Sequence, residues 1–373
     1  MLTRLTLTQF RSYAALTWRP AARIAVITGP NGSGKTNLLE AVSLLVPGRG
    51  LRNARLPDLP RQATDAPGTW SVAARLHRDN ADTDLGTGTP PDGPGDRRVF
   101  RLNGTAPRSQ AEVAAVMAAV WLTPQMDRLF QEGVSGRRRF LDRLTWALEP
   151  GHAREVSAYD TAMASRNRLL QTGAEAAWLA ATEDSMARHA VAATAARAGL
   201  VAQLNAMPSQ GAFPAARLTL LDPIADRLTQ APALDVEDWL RAELAVNRSA
   251  DASAGSAQLG AHRADMALSD MDSGLPATLA STGQQKALLI GVVLGHAALI
   301  TQARGSPPML LLDEPAVHLD GGRRAALWNA LQGLQAQVLL TGTDPEPFEA
   351  LHGVAEGLKT GDGALRPDPA FAG

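Results

Sequence analysis

Apolar and polar residues alternate from Leu2 to Thr8, the period of a strand with one buried face. Phe10-Arg11-Ser12-Tyr13 reads as a turn, and the continuous apolar run Ile24–Thr28 as a buried parallel strand. Glycines between 29 and 34 break that run. Asn37–Val46 is apolar on most sides, as a buried helix is, and Pro47-Gly48 ends it. Residues 49–68 read as a mobile loop with a basic face. Strands are predicted near 70–78 and 97–103. The Asp-, Gly- and Pro-rich stretch Asp79–Asp96 between them reads as a disordered hairpin tip. A helix near 110–119 and a short strand Val120–Leu122 follow.

Beyond Arg137 the period changes to 3.6. Arg137–Leu148, Gly151–Leu170 and Ala174–Leu204 are Ala-rich and helical in spacing. A helix of about 31 residues reaches roughly 46 Å at 1.5 Å per residue, too long for a compact αβ layer. A helical arm is the expectation. Ala216–Leu221 is a candidate strand, Pro232–Val246 a helix, and Asn247–Gly260 a polar return linker. Then αβ alternation resumes: helix Gln284–Ile300, strand Met309–Leu312, helix Gly321–Gln335, strand Val338–Thr341. The expected organisation is therefore an α/β domain from residues 1–135 and 256–373 with a helical insertion at 136–255.

Composition narrows the chemistry. The 373 residues contain no Cys, which excludes disulfides, thiolate metal sites and a Cys nucleophile. No run of 18 apolar residues occurs, so no membrane span is expected and the expected compartment is the cytoplasm. A formal net charge of −1 decides nothing about nucleic acid, because binding depends on where charge sits.

Gly29-Pro30-Asn31-Gly32-Ser33-Gly34-Lys35-Thr36 is a complete G-x-x-x-x-G-K-[ST] loop between an apolar strand and a helix. Glycines let backbone N–H groups curl around phosphate oxygens, and the helix adds its positive end. Lys35 is expected to reach the β and γ phosphates of ATP, and Thr36 to ligate Mg²⁺. Met309–Leu312 followed by Asp313-Glu314 reads as a buried strand that delivers two carboxylates at its C-terminal edge, where ligands sit in open αβ sheets. Asp313 is assigned to the Mg²⁺ shell and Glu314 to polarising the attacking water. Ser281-Thr282-Gly283-Gln284 precedes a helix, as a second phosphate-binding end or as a plain N-cap.

These elements together resemble the ABC-class ATPases. Ser281, Gly283 and Gln284 match the class signature, which a partner subunit supplies across a dimer; Asp320 matches the D-loop that couples two such sites. Lys35 and Ser281 are 246 positions apart. That spacing is too long for a transporter cassette and too short for the large coiled-coil members. The chain resembles the SMC-like branch, a P-loop ABC-type ATPase head with an inserted helical arm, and within it the RecF family of bacterial recombination-repair proteins. Leu7–Tyr13, Leu122–Asp127, Gly136–Asp142 and Gly260–Asp265 carry the same likeness, so it runs from residue 2 to about 345.

The resemblance implies an ATP-dependent homodimer that clamps duplex DNA beside single-stranded gaps. It implies the partners RecO and RecR, and indirectly RecA. Gln125 is a candidate for the Q-loop residue near Mg²⁺ and water. No His occupies the place of the transporters' switch residue; Leu340-Thr341-Gly342-Thr343-Asp344 stands there, with Thr343 or Asp344 as candidate replacements. Slow, DNA-stimulated hydrolysis is the expectation.

Candidate DNA contacts are Arg49, Arg52, Arg137, Arg138, Arg139 and Arg263, since clustered guanidinium groups suit phosphate. The competing reading is a solvated basic face or pairing within the chain. Trp121, Trp146, Trp178 and Trp328 read as core rather than as base-stacking platforms. A transport cassette and a nucleotide-gated scaffold without turnover remain alternatives.

Overall fold

The computed structural model describes residues 1–63, 68–90, 97–208 and 213–371. In chain order the elements begin β1 (Leu2–Phe10), β2 (Tyr13–Trp18), β3 (Ile24–Thr28), α1 (Lys35–Ser43), β4 (Ser71–Arg78), β5 (Ala81–Gly88), β6 (Val99–Leu102), α2 (Gln110–Val116) and β7 (Ala119–Leu122). Next come α3 (Val134–Leu148), α4 (His152–Thr172), α5 (Ala176–Ala206), β8 (Ala216–Leu221), α6 (Pro223–Leu228), α7 (Ala233–Val246), α8 (Arg248–Ala254) and β9 (Asp265–Asp270). The chain closes with α9 (Thr282–Arg304), β10 (Met309–Leu312), α10 (Gly321–Gly333), β11 (Val338–Gly342), β12 (Ala355–Gly361) and β13 (Ala364–Pro367).

Two compact units result. The first is built mainly from Met1–Asp127 and Leu289–Gly373, the second from Arg128–Ser209 and Pro214–Leu288. The divisions fall near residues 127 and 288, where the sequence placed them at 135 and 255. The second shift has a physical cause. Asp265 at the start of β9 pairs with Arg137 of α3, and β9 pairs antiparallel with β8 along its length. Residues 256–288 thus belong to the helical unit.

The first unit holds two sheets. One has six strands in the order β13-β12-β3-β11-β10-β7, parallel except for the β12–β13 pair. Its central strands β3, β10 and β11 are buried along their whole length, which explains their continuous apolar sequence. The other sheet is antiparallel, in the order β2-β1-β4-β5-β6. The alternating pattern of β1 buries Leu2, Leu5, Leu7 and Phe10.

Several expectations change here. Residues 81–88, read as part of a disordered tip, form β5; Asp79 and Asn80 take positive φ and make a two-residue hairpin turn, with Arg78 opposite Ala81. The rest of that tip, residues 91–96, lies outside the described residues. The loop after α1 is tied down as far as Arg61. Arg11 N–H donates to Leu59 O, Arg61 N–H to Gln9 O, and Arg52 pairs with Glu40. Residues 64–67 lie outside the described residues. The polar linker 247–260 contains α8, because Asp251 on it is buried in an ion cluster. Trp121 and Trp328 are core, but Trp178 is 66 % exposed.

The half-buried cation Arg98 links the antiparallel sheet, through Thr87 of β5, to the chain at the end of α1. Its guanidinium donates to the carbonyls of Leu44, the C-cap of α1, and of Val46 and Gly48 just beyond it. Burial pushes its pKa down to about 10, so the cation persists at neutral pH.

The second unit packs α4 against α5, joined through Gly173 in the left-handed region. A cluster formed by Tyr159, Met186, Ala190, Ile224, Val236, Leu240 and Leu244 makes its core. Fully buried Arg166 sits beside it. Its guanidinium binds Glu183 of α5 at 2.9 Å, Asp251 of α8 at 2.7 Å, and the carbonyl of Leu244 of α7 at 2.6 Å. Arg248 adds a second cation on Glu183. A second node joins α3, α4 and α5: Asp142 Oδ1 accepts from His152 Nε2 at 2.9 Å and from Arg197 Nε at 2.7 Å.

Removing one member of a buried pair leaves an uncompensated charge. We therefore expect Arg166→Met to destabilise the second unit by about 3–5 kcal/mol, read as an earlier urea transition of that unit. An unchanged transition contradicts the network's role. Acid acts on the Asp142 node. Burial works to raise this carboxyl's pKa, but His152 and Arg197 outweigh it and the net shift is downward. A depressed folded pKa gives stability that is present above the ordinary value near 4 and is lost as pH falls through the folded value. Asp142→Asn is expected to flatten the fall of unfolding free energy below about pH 4; an unaltered acid slope refutes this.

Candidate nucleotide site

The site sits at the C-terminal edge of the parallel sheet. Register aligns three strand ends there: Leu312 of β10 faces Leu340 of β11, and Gly342 of β11 faces Thr28 of β3. The phosphate loop therefore leaves β3, and Asp313 leaves β10, at the same edge of the sheet with β11 between them. Gly34 has φ +107° and Gly29 φ +148°, and a Cβ at either meets an oxygen at 2.6 Å. Only glycine fits both places.

Lys35 opens α1, and its Nζ donates to the carbonyls of Gly29 (2.6 Å) and Pro30 (3.0 Å), so the ammonium lies across the loop. Thr36 Oγ1 lies 3.0 Å from each oxygen of Asp313. Thr341 of β11 donates to Asp313 Oδ1 at 2.7 Å and accepts from the Glu314 N–H at 3.0 Å. The hydroxyl of Thr36 and the carboxylate of Asp313 form the all-oxygen donor pair that suits Mg²⁺. Glu314 takes φ +50°, a left-handed conformation unusual for its residue type and found where surrounding structure enforces it. Gln125 lies on the exposed turn after β7, and β7 lies next to β10 in register with it. Hydrogen bonds thus bring Thr36, Asp313 and Glu314 together around Thr341, with Lys35 next to Thr36 on the loop, whereas Gln125 is placed only by the strand beside β10.

Thr341 was missed. The expected replacements for the switch His, Thr343 and Asp344, are exposed, whereas the hydroxyl that reaches Asp313 is two residues earlier. A lone hydroxyl inside the apolar strand Val338–Gly342 was the available signal.

The signature segment belongs to the second unit. Ser281 and Gln284 are exposed and close a reciprocal cap: Gln284 N–H donates to Ser281 Oγ at 3.4 Å, and Ser281 N–H to Gln284 Oε1 at 2.9 Å. Asp320 caps α10 by accepting from the Arg323 N–H at 2.8 Å. The helix after the signature is long and apolar enough to cross a membrane, but 72 % of that apolar window is buried inside the protein, as in a core helix.

The basic clusters divide. Arg137 makes a bidentate pair with Asp265, 2.7 Å at both contacts, and Arg138 donates to the carbonyl of His262. Both guanidinium groups are held inside the second unit, which favours the reading of pairing within the chain for these two candidates. Arg139, Arg49, Arg52 and Arg263 are exposed. Arg52 also donates to Asn37, and Arg263 to Ala257 and Gln258. The two sequence stretches 136–142 and 260–265 are therefore partners of each other.

The RecF/RecN/SMC N terminal domain family matches residues 1–360. The DNA replication and repair protein RecF of Mesorhizobium japonicum is 46 % identical over 372 residues, covering 98 % of this chain and 97 % of that one. The RecF protein of Rhizobium etli (strain CIAT 652) is 45 % identical over 369 residues, covering 98 % of each chain. Among solved structures, the recombination mediator protein RecF with ATP in the RecFOR pathway superposes with a TM-score of 0.82 at 22 % identity, covering 99 % of both chains. An Smc head bound to the C-winged helix domain of ScpA gives 0.51 at 16 % identity over 98 % of this chain and 96 % of that one. Those likenesses establish an SMC-type ATPase fold, and with the sequence relatives they establish that the chain belongs to the RecF family of DNA replication and repair proteins.

Proposed function

We propose that this chain is an ATP-dependent clamp on duplex DNA in recombinational repair, acting in the cytoplasm beside single-stranded gaps. The observation that carries the reading is the Thr36–Asp313–Thr341 node next to Glu314 and the phosphate loop. ATP would lie along Gly29–Thr36, with Mg²⁺ held by Thr36 and Asp313. The ion would neutralise charge between the phosphates. Lys35 would turn from its loop carbonyls to the phosphates, and Glu314 would orient the attacking water.

The signature residues Ser281 and Gly283 would meet the nucleotide of a second copy, with Gln284 and Asp320 at the same seam. Two observations support this. Ser281 and Gln284 stand exposed at a helix N-terminus, and Ser281 lies in the unit that does not contain the phosphate loop. Arg49, Arg52, Arg139 and Arg263 are the proposed backbone contacts to DNA; no base-reading motif is present, so shape and phosphate dominate. From the RecFOR context of its solved relative, RecR and RecO are the proposed partners and RecA the recombinase whose loading the clamp assists.

Phosphate release from ATP tests the reading. The wild type is expected to turn over slowly and faster with duplex DNA. Glu314→Gln is expected to lower the rate at least about 10²-fold while ATP binding persists. Equal release by wild type and Glu314→Gln removes Glu314 from catalysis and returns the chain to a nucleotide-gated scaffold.

A further inference from the structure

The phosphate loop is held from outside by two hydroxyls that no nucleotide-binding motif contains. Thr360 on β12 donates from Oγ1 to the carbonyl of Ser33 at 3.0 Å. Tyr13, fully buried at the start of β2, donates from its phenol to the carbonyl of Gly34 at 3.1 Å. Leu38 N–H gives that same carbonyl its helical bond, also at 3.1 Å. The two hydroxyl oxygens are 3.4 Å apart, so they form one polar wall behind the loop. Burial raises the Tyr13 pKa, and the phenol stays protonated as a donor at neutral pH.

Geometry gives these bonds a consequence. In a planar trans peptide the C=O of one residue and the N–H of the next point opposite ways. Turning the Ser33 carbonyl toward Thr360 aims the Gly34 N–H away from it. Turning the Gly34 carbonyl toward Tyr13 and Leu38 does the same for the Lys35 N–H. Those N–H groups belong to the first turn of α1, where no intrahelical acceptor exists. Close approach of Thr360, Ser12 and Tyr13 also explains both glycines. A Cβ on Gly34 would meet Ser12 Oγ at 2.6 Å and Tyr13 Oη at 3.0 Å, and one on Gly29 would meet Thr360 O at 2.6 Å. Ser12 is itself bonded to Asn37 of α1 at 3.0 Å. Arg11, its neighbour, makes a bidentate pair with buried Glu40 of α1.

We infer that Thr360 and Tyr13 are positioning residues for polyphosphate: they hold the Ser33 and Gly34 peptide planes so that the Gly34 and Lys35 N–H groups face the nucleotide's phosphates before it arrives. The inference rests on the ATP-site reading above. It concerns affinity and pre-organisation, not the hydrolytic step. Thr360 has the larger role, because no backbone donor shares its carbonyl among the described residues, whereas Leu38 shares that of Gly34.

The test compares full-length wild type with Tyr13→Phe, Thr360→Val and Thr360→Ser. Binding of ATP, ADP and adenosine is measured by calorimetric titration. Backbone amide exchange of the segment 29–36 is followed without nucleotide. Thr360→Val is expected to weaken ATP and ADP alike by about three- to tenfold, the worth of one hydrogen bond, and Tyr13→Phe by less. Adenosine binding should not move, and Thr360→Ser should match wild type. Exchange across 29–36 should quicken in Thr360→Val before any ligand is added. Unchanged affinity and exchange in Thr360→Val overturn the inference, and so does equal weakening by Thr360→Ser. If wild type takes up no ATP, the ATP-site reading itself fails.

Discussion

The Asp313 carboxylate is the point on which the rest of the head depends. It ends a strand that is buried on every side, and a buried carboxylate is costly unless its oxygens are occupied. Two hydroxyls occupy them, Thr36 from α1 and Thr341 from β11. Each partner comes from a different part of the sequence, so the node closes only when β3, β11 and β10 lie side by side in register. One polar requirement thus fixes the phosphate loop against the acidic strand across more than 270 residues of sequence. The same strand order places Glu314 and its left-handed backbone beside that carboxylate.

The surrounding structure serves the same alignment. Arg98 closes the far end of α1 by binding the carbonyl of its C-cap Leu44 and those of Val46 and Gly48 just beyond it, while Tyr13 and Thr360 close the near end. The helix that carries Lys35 and Thr36 is therefore fixed at both termini by groups outside it. In the helical unit the fixing agents are ionic. Arg166 ties four helices through Glu183, Asp251 and a carbonyl, and Arg197 ties the helix α5 to Asp142 and the Ala261 carbonyl. Arginine suits these places because a planar fork binds several acceptors at once in fixed geometry.

Much of the head was legible because its signals are local. The strand–loop–helix around Lys35 and the apolar run before Asp313 each carry their chemistry within a dozen residues. The helices of the second unit were legible from period and composition, and α5 has the 31 residues expected of it. What escaped depends on tertiary partners. The strand β5 is Asp- and Thr-rich and reads as a tip, yet pairing with β4 and β6 holds it. Helix α8 reads as a linker because its reason to exist is the distant Arg166. Arg137 and Arg138 read as a phosphate patch because the chain does not announce that Asp265 and the His262 carbonyl lie across from them. Thr341 and Thr360 went unnoticed for the same cause: a single hydroxyl has no pattern.

The proposed dimer has a composite site, with the phosphate loop of one copy completed by the Ser281 helix end of another. Sedimentation velocity of wild type and Ser281→Arg, with and without ATP, tests it most directly. ATP is expected to convert wild type to a dimer that carries a short duplex with it, while Ser281→Arg binds ATP and stays monomeric. ATP binding by wild type with no change in mass would contradict it, leaving Ser281 and Gln284 as a helix cap alone.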